Sequence, residues 1–356
     1  MMARILDRYI AKAVVAGSLV ALVVFVSLIL IFSFVEESGD ISGDYTALKA
    51  LLYVALRGPQ RAYESFPIAT LIGSLMTLGG LAARHELVVM RAAGMSILNI
   101  GRSVAVAGVL LALAAVALGE WVAPPAERMA LEVKAQARSG EVAALSRDGF
   151  WARDGRRFVQ VASAPSAELL EGVNIYEFGA ERRLDHIVSA VRADYAGDGW
   201  VLHQVVITRF HEDGGVSREQ ETSREWQSEL HPDVLDVVVV DPEALSIQDL
   251  WTYIGYLERN DLESDRYRLA FWLKLATPLA TLTMLLLTIP LAFGSLRSVG
   301  AGQRIFIGVM IGIVFFLGNN LLNHLGLVYG LPPVVSALLP TLIFLLAAIY
   351  GTSRIR

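Results

Sequence analysis

The chain has 356 residues, 54% of them hydrophobic, with a mean hydropathy of +0.52 and a net charge of −5. That apolar share exceeds the usual one for a soluble globular domain and points to a membrane protein. It contains no cysteine, which excludes disulfides, thiolate catalysis and cysteine-based metal sites.

Arg4, Asp7, Arg8 and Lys12 precede the first apolar run, residues 13–35. A secretory signal also starts with bases, but its apolar region is about 7–15 residues long and ends at a small-residue cleavage site. The longer run here crosses a hydrocarbon core of about 30 Å at about 1.5 Å per residue, so a retained spanning helix is predicted. Ala13, Gly17 and Ala21 form a small-residue ladder on one face, suited to close helix contact. An acidic turn follows with Glu36, Glu37, Asp40 and Asp44, then a helix over 46–57 broken at Gly58-Pro59. Span two is predicted over 65–83, entered through Pro67. Span three is predicted over 103–119, with Pro124-Pro125 just beyond it.

Between spans two and three lies AARHELVVMRAAGMS, residues 82–96. A loop between spans needs only a few polar residues, yet this stretch is long enough for a helix over 84–95, with Gly94 as a C-terminal stop. Its surface would offer Arg84, Glu86, Leu87, Val89, Met90 and Arg91 to a cytoplasmic partner. An ordinary interfacial helix is the plainer alternative.

From residue 123 to 266 the composition becomes polar and turn-rich. Strands are predicted over 157–161, 173–178, 200–210 and 234–240, separated by Asp154-Gly155, Gly197-Asp198-Gly199 and Asp213-Gly214-Gly215. Phe158, Val161, Ile175, Val205 and Ile207 are expected to form its apolar interior. This is an inserted all-β domain, read as an antiparallel sandwich or open roll. Ser246 and Asp249 open a short helix to about Arg259. Three more spans follow, over 275–296, 305–322 and 331–350, and Gly308 and Gly312 on the fifth give a close-packing signal. The chain thus divides into membrane half one (1–122), the β domain (123–266) and membrane half two (267–356).

Residues 1–12, 84–102, 295–304 and 353–356 carry Arg4, Arg8, Lys12, Arg84, Arg91, Arg102, Arg297, Arg304, Arg354 and Arg356, against the acids Asp7 and Glu86 alone. By the positive-inside rule both termini and residues 82–96 are cytoplasmic, and the β domain is periplasmic. No P-loop, no complete zinc-protease motif and no G-x-S-x-G occurs. Lys274 and His324 are the ionisable residues within spans, both near span ends, where snorkelling or a local hydrogen bond would explain them. Any energised role therefore needs an outside motor. No cofactor, metal or nucleic-acid partner is expected.

Several stretches together carry a family resemblance: Leu6-Asp7-Arg8-Tyr9-Ile10, Arg84-x-Glu86-Leu87-Val88-Val89-Met90 and Gly119-Glu120-Trp121-Val122-Ala123-Pro124. They continue with Asp241-Pro242-x-Ala244-Leu245-Ser246, Leu296-Arg297-Ser298-Val299 and Val328-Tyr329-Gly330-x-Pro332-Pro333. The chain resembles the LptF/LptG permeases of the lipopolysaccharide exporter, and within them the LptG branch. The resemblance implies a six-span helical membrane protein of three-plus-three layout with a periplasmic jellyroll-like β domain. It implies an LptF-like second permease, an LptB-like ATPase dimer and an LptC-like periplasmic bridge, with lipopolysaccharide as the cargo drawn from membrane lipid. On that reading residues 84–91 couple to the ATPase. Ala13, Gly17, Ala21, Gly308 and Gly312 pack the seam with the partner. Relatives can carry a lysine near the outer end of span one; this chain has Ser33, Glu36 and Glu37 there instead. The bases expected to meet lipid phosphates are then Arg57, Arg61, Lys134 and Arg138, with Lys134 matching a basic position of the family. A membrane-anchored enzyme or a sensor is the alternative. The first lacks a nucleophile–base or metal constellation, and the second leaves six spans and a charged internal helix unexplained.

Overall fold

A computed structural model describes residues 2–145, 150–155, 157–166, 168–179, 183–197, 199–211, 215–228, 230–232, 241–293 and 300–354. Side chains at 2–4, 97–98, 135–136, 138–145, 150, 165–166 and 301 lie outside that description. The strand expected over 234–240, the motif at 296–299 and the Arg138 side chain therefore fall outside the described residues.

The helices are α1 (Met2–Ser38), α2 (Ala47–Leu56), α3 (Gly58–Ala83), α4 (Glu86–Ala92), α5 (Ile97–Ala117), α6 (Ala123–Leu145), α7 (Ile247–Arg259), α8 (Asp265–Phe293), α9 (Ala301–Tyr329) and α10 (Pro333–Ser353). The strands are β1 (Phe150–Asp154), β2 (Arg157–Ser166), β3 (Leu169–Phe178), β4 (Leu184–Tyr195), β5 (Trp200–Phe210) and β6 (Val216–Trp226). They fall into two compact units. One comprises Met1–Lys134, Glu243–Ile247 and Asp265–Arg356, the other Ala135–Pro242 and Gln248–Ser264.

Among the described residues of the first unit, six helical segments are long and apolar enough to cross a membrane: Ile5–Ser38, Gly58–Ala83, Asn99–Lys134, Asp265–Phe293, Gly302–Tyr329 and Pro333–Ser353. Their core is built from α1, α3, α5 and α8, where Ile10, Val14, Leu78, Ile100, Val104 and Leu285 are fully covered. Helix α3 is the hub. About 67% of its apolar window is buried, against 17% for each of α1 and α9. It begins at Gly58, earlier than the Pro67 entry expected from the sequence, because Pro59 occupies the first turn, where a missing N–H costs nothing.

The third span does not stop before Pro124-Pro125 as expected. A single π turn, Leu118–Val122, carries the chain into α6, with Ala123 N donating to Leu118 O. In that wide register the Gly119 carbonyl would be served by Pro124, which has no N–H. Lys274 supplies the missing donor: its Nζ lies 2.7 Å from Gly119 O. The same ammonium sits 5.1 Å from the centre of the Tyr63 ring and 3.7 Å from Glu120 Oε1. Lys274 is thus buried and hydrogen-bonded rather than snorkelling, whereas His324 is exposed.

The second unit holds an antiparallel six-stranded sheet in sequence order, β1 to β6. Gly155 and Gly197, both at positive φ, turn the β1–β2 and β4–β5 hairpins. Cross-strand rows of apolar residues line one face. One row runs Val159, Ile175, Val188, Ile207, and the next runs Val161, Val173, Ala190, Val205. A third row, Leu170, Ala193, Leu202, lies three residues further along rather than two. Gly172 and Gln204, at φ 63° and 54°, mark where the alternation slips by one residue. Phe158 was expected inward with Val161 and is not: an odd spacing puts the two on opposite faces, and Phe158 is 42% exposed. β6, VSREQETSREW, is an edge strand, almost wholly exposed and highly charged, so it carries no apolar alternation to find. α7 closes the unit. Tyr256 Oη donates to Arg153 O at 2.6 Å, and Asn260 Oδ1 accepts Gly155 N at 2.8 Å.

Candidate functional site

Three residue groups in the membrane unit are candidates for the chemistry of transport. The first is α4. His85 enters it in the left-handed region at φ 61°, and Gly94 at φ 92° ends the segment, so the helix is held to seven residues. Glu86 in its first turn and Arg91 in its last match the helix dipole. Leu87 and Met90, three apart, share the inner face and are buried among Ala82, Met95, Ile289 and Ala292. They were expected on the docking surface; instead they root the helix. The outward face consists of Val88, Val89 and Arg91, with Val89 67% exposed, and Arg84 is exposed just before the helix. Glu86 pairs with neither neighbouring arginine, because its Oε2 accepts the Tyr9 hydroxyl at 3.0 Å, tying α4 to α1. A cavity of about 320 Å³ lies beside α4, lined by Leu87, Val88, Arg91 and Phe293 among others.

The second group is the set of bases around the C-terminal end of α1 and the N-terminal end of α3. Each described member already has a carboxylate. Arg57 Nε lies 2.8 Å from Glu127 Oε1, and Arg61 Nη1 lies 3.0 Å from Glu64 Oε2. Lys134 Nζ lies 2.6 Å from Glu37 Oε1 and 3.4 Å from Asp40 Oδ2. Lys134 also stands over the Tyr53 ring at 4.8 Å and the Tyr45 ring at 5.9 Å, and Tyr45 Oη donates to Glu37 Oε1 at 2.9 Å. An apolar cluster of Leu30, Phe34, Tyr53, Val54 and Ala130 lies nearby, joining α1, α2 and α6. A cavity of about 230 Å³ opens among Ser33, Glu36, Glu37, Asp40, Tyr53, Arg57 and Arg61. The structure thus gathers Arg57 and Arg61 on one cavity, and Lys134 reaches its wall through Glu37 and Tyr53.

The third group is the small-residue set. A Cβ added to Gly17 would meet Thr77 Oγ1 and stand 3.0 Å from Gly73 O; one added to Gly73 would stand 2.5 Å from Ser18 Cα. Gly308 lies against Ile72 and Leu75, and Gly312 against Ile68. These glycines let α1 and α9 lie close on α3 of the same chain. Ala13 and Ala21 on α1 are half-buried. What α1 and α9 turn outward is bulky: Val20, Val23, Ile31 and Phe32 on one, Phe306, Val314, Leu317 and Leu321 on the other.

Sequence reading missed Tyr9, Glu127, Gly73 and the Lys274–Gly119 contact as participants. Tyr9 had a signal, since it sits inside the Leu6–Ile10 motif. The other three depend on which helices touch.

The chain matches the family model described as the lipopolysaccharide export system permease LptF/LptG over residues 8–354. It is 38% identical over 353 residues to the lipopolysaccharide export system permease protein LptG of Escherichia coli K12, covering 98% of both chains. It is 35% identical over 354 residues to the LptG protein of Haemophilus influenzae, covering 99% of both. Against the LptF protein of Escherichia coli K12 the identity is 26% over 175 residues, 49% of this chain and 46% of the other.

Proposed function

The chain belongs to the LptF/LptG family of lipopolysaccharide export permeases, and we propose that it works as one half of the membrane channel, paired with an LptF-like permease. It is a multi-pass inner-membrane transport component and not an enzyme. The observation that supports the half-channel reading is the uneven burial of its spans. α3 is packed on most sides, while α1 and α9 leave broad aliphatic and aromatic faces without a partner among the described residues of this chain. In the proposed assembly those faces, and not the glycines behind them, line the seam through which lipid enters.

The termini and α4 lie on the cytoplasmic side and the sheet in the periplasm, as the distribution of bases argues. ATP is hydrolysed on a separate LptB-like dimer. Val88, Val89, Arg84 and Arg91 rest in a groove of that ATPase, Glu86 anchors the contact through Tyr9, and Leu87 and Met90 pass its movement into the span core. Pushing α4 moves α1 through the Tyr9–Glu86 bond and moves α3 through its continuous backbone. Lipopolysaccharide, drawn from the outer leaflet, is squeezed toward the sheet and passed to an LptC-like bridge.

The lipid's phosphates need cations in a low-dielectric cavity. Arg57, Arg61 and Lys134 are the assigned contacts. The test is the double reversal Lys134→Glu with Arg61→Glu in the assembled transporter. Lipopolysaccharide copurifying per complex should fall while the ATPase stays bound. Wild-type lipid occupancy would place the phosphate contacts elsewhere.

A further inference from the structure

A groove between α1 and α5 has no role in the reading above. Its cavity is about 990 Å³, several times those beside α4 and the outer bases. Its walls are Ala11, Val15, Ala16, Leu19, Val106 and Leu110, a strip of aliphatic side chains along two membrane-spanning helices. Arg8, Lys12 and Arg102 stand at one end of it. All three are exposed, and among the described residues no carboxylate lies in ion-pair range of any of them. Asp7 and Ser103 line the same end, where Asp7 Oδ1 accepts Ser103 Oγ at 2.7 Å, which leaves three bases there against one acid. The contrast with Arg57, Arg61 and Lys134, each neutralised by an internal carboxylate, is complete.

Three unneutralised bases at the mouth of an aliphatic groove form a two-part recognition surface, anionic head against cations and hydrocarbon tail against the wall. Basic recesses between spanning helices on the cytoplasmic side suit anionic lipid headgroups. We propose that the α1–α5 groove is a binding site for an anionic phospholipid of the cytoplasmic leaflet. The phosphate takes Arg8, Lys12 and Arg102, and an acyl chain lies along Val15, Leu19, Val106 and Leu110. The bound lipid fills the space between α1 and α5. It is a structural lipid distinct from the cargo, whose assigned contacts lie at the opposite ends of the spans. Assignment of the leaflet rests on the orientation proposed above; the existence of the site does not.

The test uses the assembled transporter in nanodiscs of phosphatidylethanolamine and phosphatidylglycerol, then native mass spectrometry of lipids retained in mild detergent. Each base near an anionic surface is worth about fivefold in affinity. The triple variant Arg8→Gln, Lys12→Gln, Arg102→Gln should therefore lose phosphatidylglycerol retention by on the order of a hundredfold. A second variant, Ala16→Trp with Val106→Trp, keeps every charge and fills the groove; it should lose the lipid as well. Retention of phosphatidylglycerol by the triple variant overturns the proposal. So does retention by the filled variant, which would mean diffuse attraction to charge, and so does a photo-crosslinker at Val106 that captures protein rather than lipid. Cysteine labelling of Arg102→Cys from each side of the membrane tests the orientation separately.

Discussion

Lys134 Nζ lies 2.6 Å from Glu37 Oε1, so the base expected to meet lipid phosphate is held by an acid at the C-terminal end of α1. The pair is mostly shielded, with the lysine side chain 22% and the glutamate 12% exposed. A phosphate that takes Lys134 must displace Glu37 first. Glu37→Gln removes that competition, and even an exposed ion pair is worth about 0.2–1 kcal/mol, a factor of roughly 1.4 to five. Lipopolysaccharide retained per complex should rise by that factor. Unchanged retention would mean that Lys134 does not reach the cargo.

The α1–α3 contact is set by two glycines. Gly73→Ala drives a methyl into Gly17 O and to 2.5 Å from Ser18 Cα, and backbone cannot yield as a side-chain tip can. The loss should be about 1–3 kcal/mol, as for other overpacked sites, read as a lower unfolding temperature of the purified complex. Gly80→Ala on the same helix meets nothing within 4 Å and should be neutral or slightly stabilising.

The two faces of α4 should separate in their effects. Leu87→Ala empties a buried position and should cost about 2–5 kcal/mol of stability, as large-to-small core changes do. Val89→Glu alters an exposed position, so the fold should be kept while ATPase copurification falls. If Val89→Glu keeps the ATPase bound and active, α4 docks by another face.

Lys274→Met removes the donor from the Gly119 carbonyl and leaves that oxygen buried without it. The cost should be about 1–3 kcal/mol, measured by thermal unfolding. Lys274→Gln retains an N–H and should recover part of it. Equal losses in both variants would mean the charge beside Glu120, and not the hydrogen bond, is what matters.

On the sheet, Arg192 Nε donates to Asp194 Oδ1 at 2.9 Å, and this hydrogen bond holds the Asp194 carboxyl below the usual carboxylate range. A depressed carboxylate stabilises the fold above its unfolded pKa, and that contribution fades as pH falls through its folded value. Both side chains face water, so the effect is small. Hydrogen exchange at the β4–β5 hairpin should be faster in Arg192→Gln than in the wild type at neutral pH. The difference should vanish once the pH is below the folded value. A difference that persists there would assign it to packing.

The sequence alone determined the spans, because an apolar run long enough to cross a membrane is a one-dimensional property. It also determined the inserted β domain, the separate charged segment before span three and the family, since turn chemistry and motif order are equally local. It could not say that the third span runs past Pro124-Pro125, because that depends on a π turn whose spare carbonyl is satisfied by Lys274, 155 positions away. Nor could it tell that Leu87 and Met90 point inward while Val89 points out, since on a seven-residue helix with apolar residues on both faces only packing chooses the face. Gly17 and Gly312 announced close contact but not with which helix. Lys134 announced a cation but not the acid that holds it. Those relationships join residues far apart in the chain, and they exist only once the helices have crossed at particular points. The contact energies that fix such crossings belong to pairs of surfaces, and no single stretch of sequence contains both.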